Sequence, residues 1–91
     1  MSLIIEVEVP VCLNLGLCYL KLEQYHYAIK YCSQVIDKNL SSKLVPGIEK
    51  QLEKAFYRRG CSYFKIGDLA KTKEDLLKAN EIAEGKNPSV L

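Results

Sequence analysis

A single histidine, His26, among 91 residues is the first constraint this chain imposes. A zinc site needs about four ligands. The four cysteines (Cys12, Cys18, Cys32 and Cys61) form no CxxC spacing that could supply them. No nucleophile–base pair and no phosphate-cradling glycine loop can be assembled either, so catalysis, cofactor and metal are not expected. Charge of one sign is also lacking. Thirteen Lys and Arg against eleven Asp and Glu leave a net +2, too little to make nucleic acid or an anionic membrane the main partner. Long apolar runs are absent too. The longest, Val9 to Leu22, is interrupted by Asn14 and Lys21 and is too short to span a bilayer. Leu3-Ile4-Ile5 runs into Glu6 and Glu8 with no basic residue before it, so no secretory signal is expected. The cysteines sit in apolar helical contexts. They are expected as buried free thiols of a reducing, cytoplasmic compartment.

What is present points to an all-α domain. Hydrophobic residues make up 48% and charged ones 26%, a globular balance. Four helices are predicted. The first covers about Val9–Leu22, with Pro10 in its opening turn, where a missing N–H costs nothing. Residues 1–8 then read as a lead-in or as residues of the expression start. The second helix covers about Tyr25–Asp37, with Ala28, Ile29, Cys32, Val35 and Ile36 at helical spacing. Turn chemistry over 38–47 marks a connector, with an insertion assigned to 40–47. The third covers about Ile48–Ile66. Gly67-Asp68 stops it, and Asp68 is a good N-cap for the fourth, about Leu69–Glu84. Gly85 and Pro88 end that one, leaving 86–91 as a tail. Very short turns within each pair make antiparallel hairpins.

The two hairpins repeat one another. Gly60 follows Gly16 by 44 residues. Cys12-x2-Leu15-Gly16-x2-Tyr19 lines up with Phe56-x2-Arg59-Gly60-x2-Tyr63. Ala28-x3-Cys32 has a weaker counterpart in Thr72-x3-Leu76. This frame resembles the tetratricopeptide repeat, whose usual period is about 34 residues; the excess fits an insertion between the hairpins. The resemblance implies hairpins stacked as a right-handed superhelix, with repeats at 9–39 and 48–85.

Two stretches narrow the resemblance. Cys12-Leu-Asn-Leu-Gly-Leu-Cys-Tyr-Leu-Lys-Leu22 and Lys54-Ala-Phe-Tyr-Arg-Arg-Gly60 look like the repeats of large immunophilins (FKBP-type peptidyl-prolyl isomerases) and related heat-shock co-chaperones. In that family the domain captures the acidic C-terminal tail of the seventy- and ninety-kilodalton chaperones, ending Glu-Glu-Val-Asp. Its carboxylate clamp takes a lysine and an asparagine from the first repeat, an asparagine from the second, and a lysine and an arginine from the third. By motif position Asn14 matches the second-repeat asparagine, and Lys54 and Arg58 match the third-repeat pair. The resemblance thus implies a peptide-binding adaptor rather than an enzyme. An isomerase domain would belong to a longer parent.

The residues give this reading support of their own. Lys54 and Arg58 are i, i+4 neighbours on one helix face. Asn14 precedes Arg58 by the same 44 residues. A guanidinium, an ammonium and an amide together suit a carboxylate. Lys50 extends the stripe, and Lys65 repeats Lys21 at the 44-residue spacing, as accessory contacts to a bound tail. The bland alternative is a solvated helix face, since Glu49 and Glu53 interleave with the lysines. Tyr19, Tyr63, Phe56 and Phe64 read as packing, and His26 as an ordinary surface residue.

The match departs from the family in two ways: the first repeat, and the helix that normally follows the third, are both missing from it. It covers what look like a second and a third repeat, without the first. The nearly all-apolar first helix then wants a cover. Either the chain is a fragment of a larger immunophilin-like protein, or it self-associates through that helix. The alternative function is a structural repeat segment that binds a different partner.

Overall fold

The structure, a computed structural model, describes residues 2–41 and 48–84, with side chains from Pro10 to Asn39 and from Ile48 to Glu84. Four helices occupy these residues in the order α1 (Ser2–Lys21), α2 (Tyr25–Ser41), α3 (Ile48–Ile66) and α4 (Leu69–Ala83). Each packs on the next, and α1 also touches α3. The 16 Å short dimension leaves room for two helix layers, given interaxial distances of about 8–10 Å. The result is two antiparallel hairpins, α1–α2 and α3–α4, stacked through α2 and α3.

Two helices are longer than the sequence signals suggest. α1 starts at Ser2, so Pro10 lies inside it rather than in its first turn. The proline loses the bond to the carbonyl four residues earlier and its ring crowds that carbonyl, yet the helix continues through it. α2 runs through Lys38-Asn39-Leu40 to Ser41, a turn beyond Asp37. Asn39 explains this. Its side chain is 3% exposed and donates to Gln51 Oε1 on α3 at 3.1 Å. It therefore does not compete for its own backbone, which is how asparagine usually ends a helix. The rest of the expected connector, 42–47, and the stop signals Gly85 and Pro88 lie outside the described residues.

The hairpin turns are alike. In the second, Gly67 takes φ 90°, Gly67 N donates to Phe64 O at 3.1 Å, and Asp68 N donates to Tyr63 O at 2.9 Å. In the first, Glu23 takes φ 63°, Glu23 N donates to Leu20 O at 3.1 Å, and Gln24 N to Tyr19 O at 2.8 Å. Both are left-handed C-terminal caps that satisfy the last carbonyls of the helix. Asp68 then caps α4 by accepting from Lys71 N at 3.2 Å.

The core is a single cluster in which Cys12, Leu13, Val35, Leu52, Phe56 and Ile82 join side chains from all four helices. The small residues of the repeat frame set the helix spacing. A Cβ built on Gly16 would lie 2.7 Å from Cys32 Sγ, whereas one on Gly60 would meet Leu76 Cδ2 at 3.0 Å. All four cysteines are free thiols, but only Cys12 and Cys32 are buried. Cys61 is half-buried, and Cys18 is exposed because none of the described residues covers that side of α1. Burial pushes the Cys32 thiol up to about 11, so it stays neutral and unreactive near neutral pH. Phe64 also departs from expectation: it is exposed at the hairpin end, while Phe56 is the buried aromatic.

One polar cluster sits inside this core. Arg59 donates from Nε to Asp75 Oδ2 and from Nη2 to Asp75 Oδ1, both at 2.8 Å. It donates from Nη1 to Ser33 Oγ at 3.1 Å. A forked, two-bond pair of this kind holds a buried carboxylate well, and Asp75 is 2% exposed. Burial alone would lower the Arg59 pKa, but the hydrogen-bonded Asp75 carboxylate outweighs it and leaves the value raised.

Candidate peptide-binding groove

α3 places its residues 53, 54, 57 and 58 on one face, because positions three and four apart share a side of a helix. Those residues are Glu53, Lys54, Tyr57 and Arg58, and together they line a groove of about 710 Å³. Leu17 and Leu20 of α1 line it from one side. Leu76, Ala79, Asn80 and Ala83 of α4 line it from the other. The cavity is thus apolar along its length with cations on α3, a mixture that suits a peptide carrying aliphatic side chains and a carboxylate.

Arg58 is partly committed. Its Nη1 donates to Leu13 O on α1 at 2.8 Å, which ties the inner helices of the two repeats together. A guanidinium has five N–H donors, so one such bond fixes its position and leaves others for an anion. Lys54 is exposed and is in no ion pair among the described residues. It can move to meet a charge, although Glu53 beside it offsets part of the positive potential.

The sequence-predicted residues divide into two groups. Lys54 and Arg58 share the groove. Asn14 is exposed next to Leu13, whose carbonyl Arg58 holds, but it is not among the lining residues. Lys21, Lys50 and Lys65 are exposed and also outside the lining. Tyr57 is the residue that sequence reasoning missed. It is 57% exposed in the groove, between the two matched cations. Its position one turn after Glu53 on the Lys54 face was the available signal. Elsewhere, Tyr19 stacks on Tyr27 and Tyr31 with ring centroids 5.1 and 5.6 Å away, an aromatic clasp between α1 and α2. His26 is exposed. Among the described residues no group of three or more His, Cys, Asp and Glu could hold a metal ion. No helix there is long and apolar enough to cross a membrane.

Known proteins resemble the chain along these same repeats. A family profile described as tetratricopeptide repeat matches residues 9–40, and a second so described matches 53–86. FK506-binding protein 5 of Rhizopus delemar is 35% identical over 63 residues, 69% of this chain and 14% of that protein. Peptidyl-prolyl cis-trans isomerase FKBP42 of Arabidopsis thaliana is 29% identical over 79 residues, 87% of this chain and 19% of the relative. Outer envelope protein 61 of Arabidopsis thaliana is 37% identical over 71 residues, 78% of this chain and 11% of the relative. The chain therefore spans under a fifth of the length of each of these proteins. No solved structure matches it. With paired hairpins, the glycine contacts between their helices and two matching repeat profiles, the chain belongs to the tetratricopeptide repeat family and is a protein-interaction module similar to the repeat regions of FKBP-type immunophilins.

Proposed function

We propose that this module binds the acidic C-terminal tail of a heat-shock chaperone through a partial carboxylate clamp, as a cytoplasmic, co-chaperone-type part of a larger immunophilin-like protein. The observation that carries the reading is the joint presence of Lys54 and Arg58 in one groove that Leu17, Leu20 and Leu76 make apolar. A tail ending in valine and aspartate presents both features to match. Lys54 and Arg58 take the terminal carboxylates, Asn14 adds an amide at the edge, and Lys21, Lys50 and Lys65 reach acidic residues farther back. Calorimetric titration with a peptide ending Glu-Glu-Val-Asp tests this, beside the same peptide amidated at its C-terminus. Only the free acid should bind. Lys54→Ala should weaken it about tenfold or more, since a charge-assisted bond contributes about 1.5–3 kcal/mol. Equal binding of acid and amide, or indifference to Lys54→Ala, would refute the clamp. Lys54 is the better probe because Arg58 also supports α1 through Leu13 O.

A second reading has its own observation. Val11 on α1 is 49% exposed and Leu22, just past its end, 66%, and Cys18 is exposed between them. This favours self-association through the first helix.

A further inference from the structure

The 44-residue shift that maps α1–α2 onto α3–α4 also compares the two ends of the stack. On α2, Ser33 and Asn39 bond to α3, and Cys32 and Ile36 belong to the core cluster that joins the helices. Cys32, Ile36 and Asn39 are 0%, 4% and 3% exposed, and Ser33 accepts from Arg59. Their counterparts on α4 are Leu76, Leu77, Asn80 and Ala83. Leu76 is 37% and Leu77 52% exposed, and Asn80 and Ala83 are exposed as well. Among the described residues, the end of the stack therefore repeats the seat in which α3 lies, without a helix in it.

The other end carries a matching face. Ala55, Arg59 and Ser62 of α3 are buried or half-buried between its neighbours. Their counterparts on α1 are Val11, Leu15 and Cys18, of which Val11 and Cys18 are exposed and Leu15 half-buried. The chemistry changes in step on both faces. Inside the chain, polar Arg59 meets polar Ser33. Under the shift that pair becomes Leu15 and Leu77. A polar-to-apolar change on one face alone would leave an unmatched surface. The paired change describes two surfaces made for each other.

We infer that α1 of a second copy of this chain docks against the open α4 face of the first, so that copies stack head to tail in the register α3 already takes on α2. This rests on the second reading above, self-association through α1, and adds the acceptor and the register. The occupant is a second copy because the interface continues one the chain already contains, and the apolar partners are its own residues. The stack competes with tail binding for the groove, because Leu76, Asn80 and Ala83 line it and their counterparts Cys32, Ile36 and Asn39 are buried. Lys54 and Arg58 correspond to Pro10 and Asn14, which stay exposed after α3 packs on α1. Tyr57 corresponds to Leu13, 7% exposed, and would be covered. Because the two faces differ, association is heterologous and does not close on itself at two copies.

Complementation of two blocked variants tests this. Val11→Lys blocks the donor face and Leu77→Lys the acceptor face. Both sites are about half exposed, and circular dichroism checks that each variant folds. The parent should show a mass that rises with concentration in sedimentation velocity. Each variant alone should be a monomer, and an equal mixture should form one dimer, because each supplies the face the other lacks. Ala83→Glu, at an exposed site, is a second acceptor variant if Leu77→Lys fails to fold. A monomeric parent at all concentrations overturns self-association and this register together. A parent that associates while both acceptor variants associate equally well leaves the α1 reading standing and overturns the α4 register. Failure of the mixture to dimerise does the same.

Discussion

Single atoms decide how close the helices of a hairpin come. At Gly16 the space a Cβ would need is held by Cys32 Sγ at 2.7 Å, with Ala28 O and Cys32 N within 4 Å. Cys32 is 0% exposed, so its sulfur has nowhere to go. Alanine gains about 1 kcal/mol of helix propensity over glycine, but overpacking costs about 1–3 kcal/mol. Gly16→Ala should therefore lower the urea midpoint, and adding Cys32→Ala should restore part of it. The analogous Gly60→Ala should be milder, since its nearest contacts, Leu76 Cδ2 at 3.0 Å and Asp75 Cβ at 3.2 Å, are longer, and the Leu76 side chain is 37% exposed and able to turn away. If both substitutions cost the same, the difference in freedom between Cys32 and Leu76 does not matter. The glycine frame was legible in the sequence because it repeats. The contacts that make Gly16 the tighter site were not, since they depend on which atom lies opposite.

Helix ends show where sequence signals succeed and fail. The α3–α4 turn was readable from Gly67-Asp68, because glycine takes a positive φ without strain and aspartate caps the next helix. The first turn has the same geometry with Glu23 in the glycine's place, and only the interval between two apolar patterns marks it in the sequence. A non-glycine residue in that conformation costs about 1 kcal/mol. Glu23→Gly should raise the thermal midpoint by a few degrees, reflecting about 0.5–1 kcal/mol. An unchanged or lower midpoint would mean the Glu23 side chain contributes more than its backbone costs. The ends of α1 and α2 were harder to read. Pro10 looks like a start and Asn39 like a stop, yet each sits inside a helix. Tertiary partners, such as Gln51 for Asn39, overrode the local preference. In the candidate site, the motif located Lys54 and Arg58, but periodicity could not show that Arg58 spends a donor on Leu13 O, 45 residues away.

At the scale of the whole molecule, stability is a sum over neighbouring units and the contacts between them. Arg59 joins three of the four helices, reaching Ser33 on α2 and Asp75 on α4 from its place on α3. Removing one member of a buried pair costs about 3–5 kcal/mol, whereas replacing both with apolar residues is often neutral. Arg59→Met should unfold much of the population at room temperature, and Arg59→Met with Asp75→Leu should recover most of the midpoint. Hydrogen exchange adds a second readout. In the parent, amides of α2 and α4 should exchange through one shared opening. In the double variant, α4 should open at lower free energy than α2. Shared exchange in both would mean that apolar packing alone couples the helices. Arg59 thereby bears on how the chain comes apart. Repeat arrays can lose their terminal unit first, as a frayed rope loses its outer strand. A side chain anchored at once in the last helix and in the one two before it makes that loss an all-or-none event, so proteases should find the whole module or none of it.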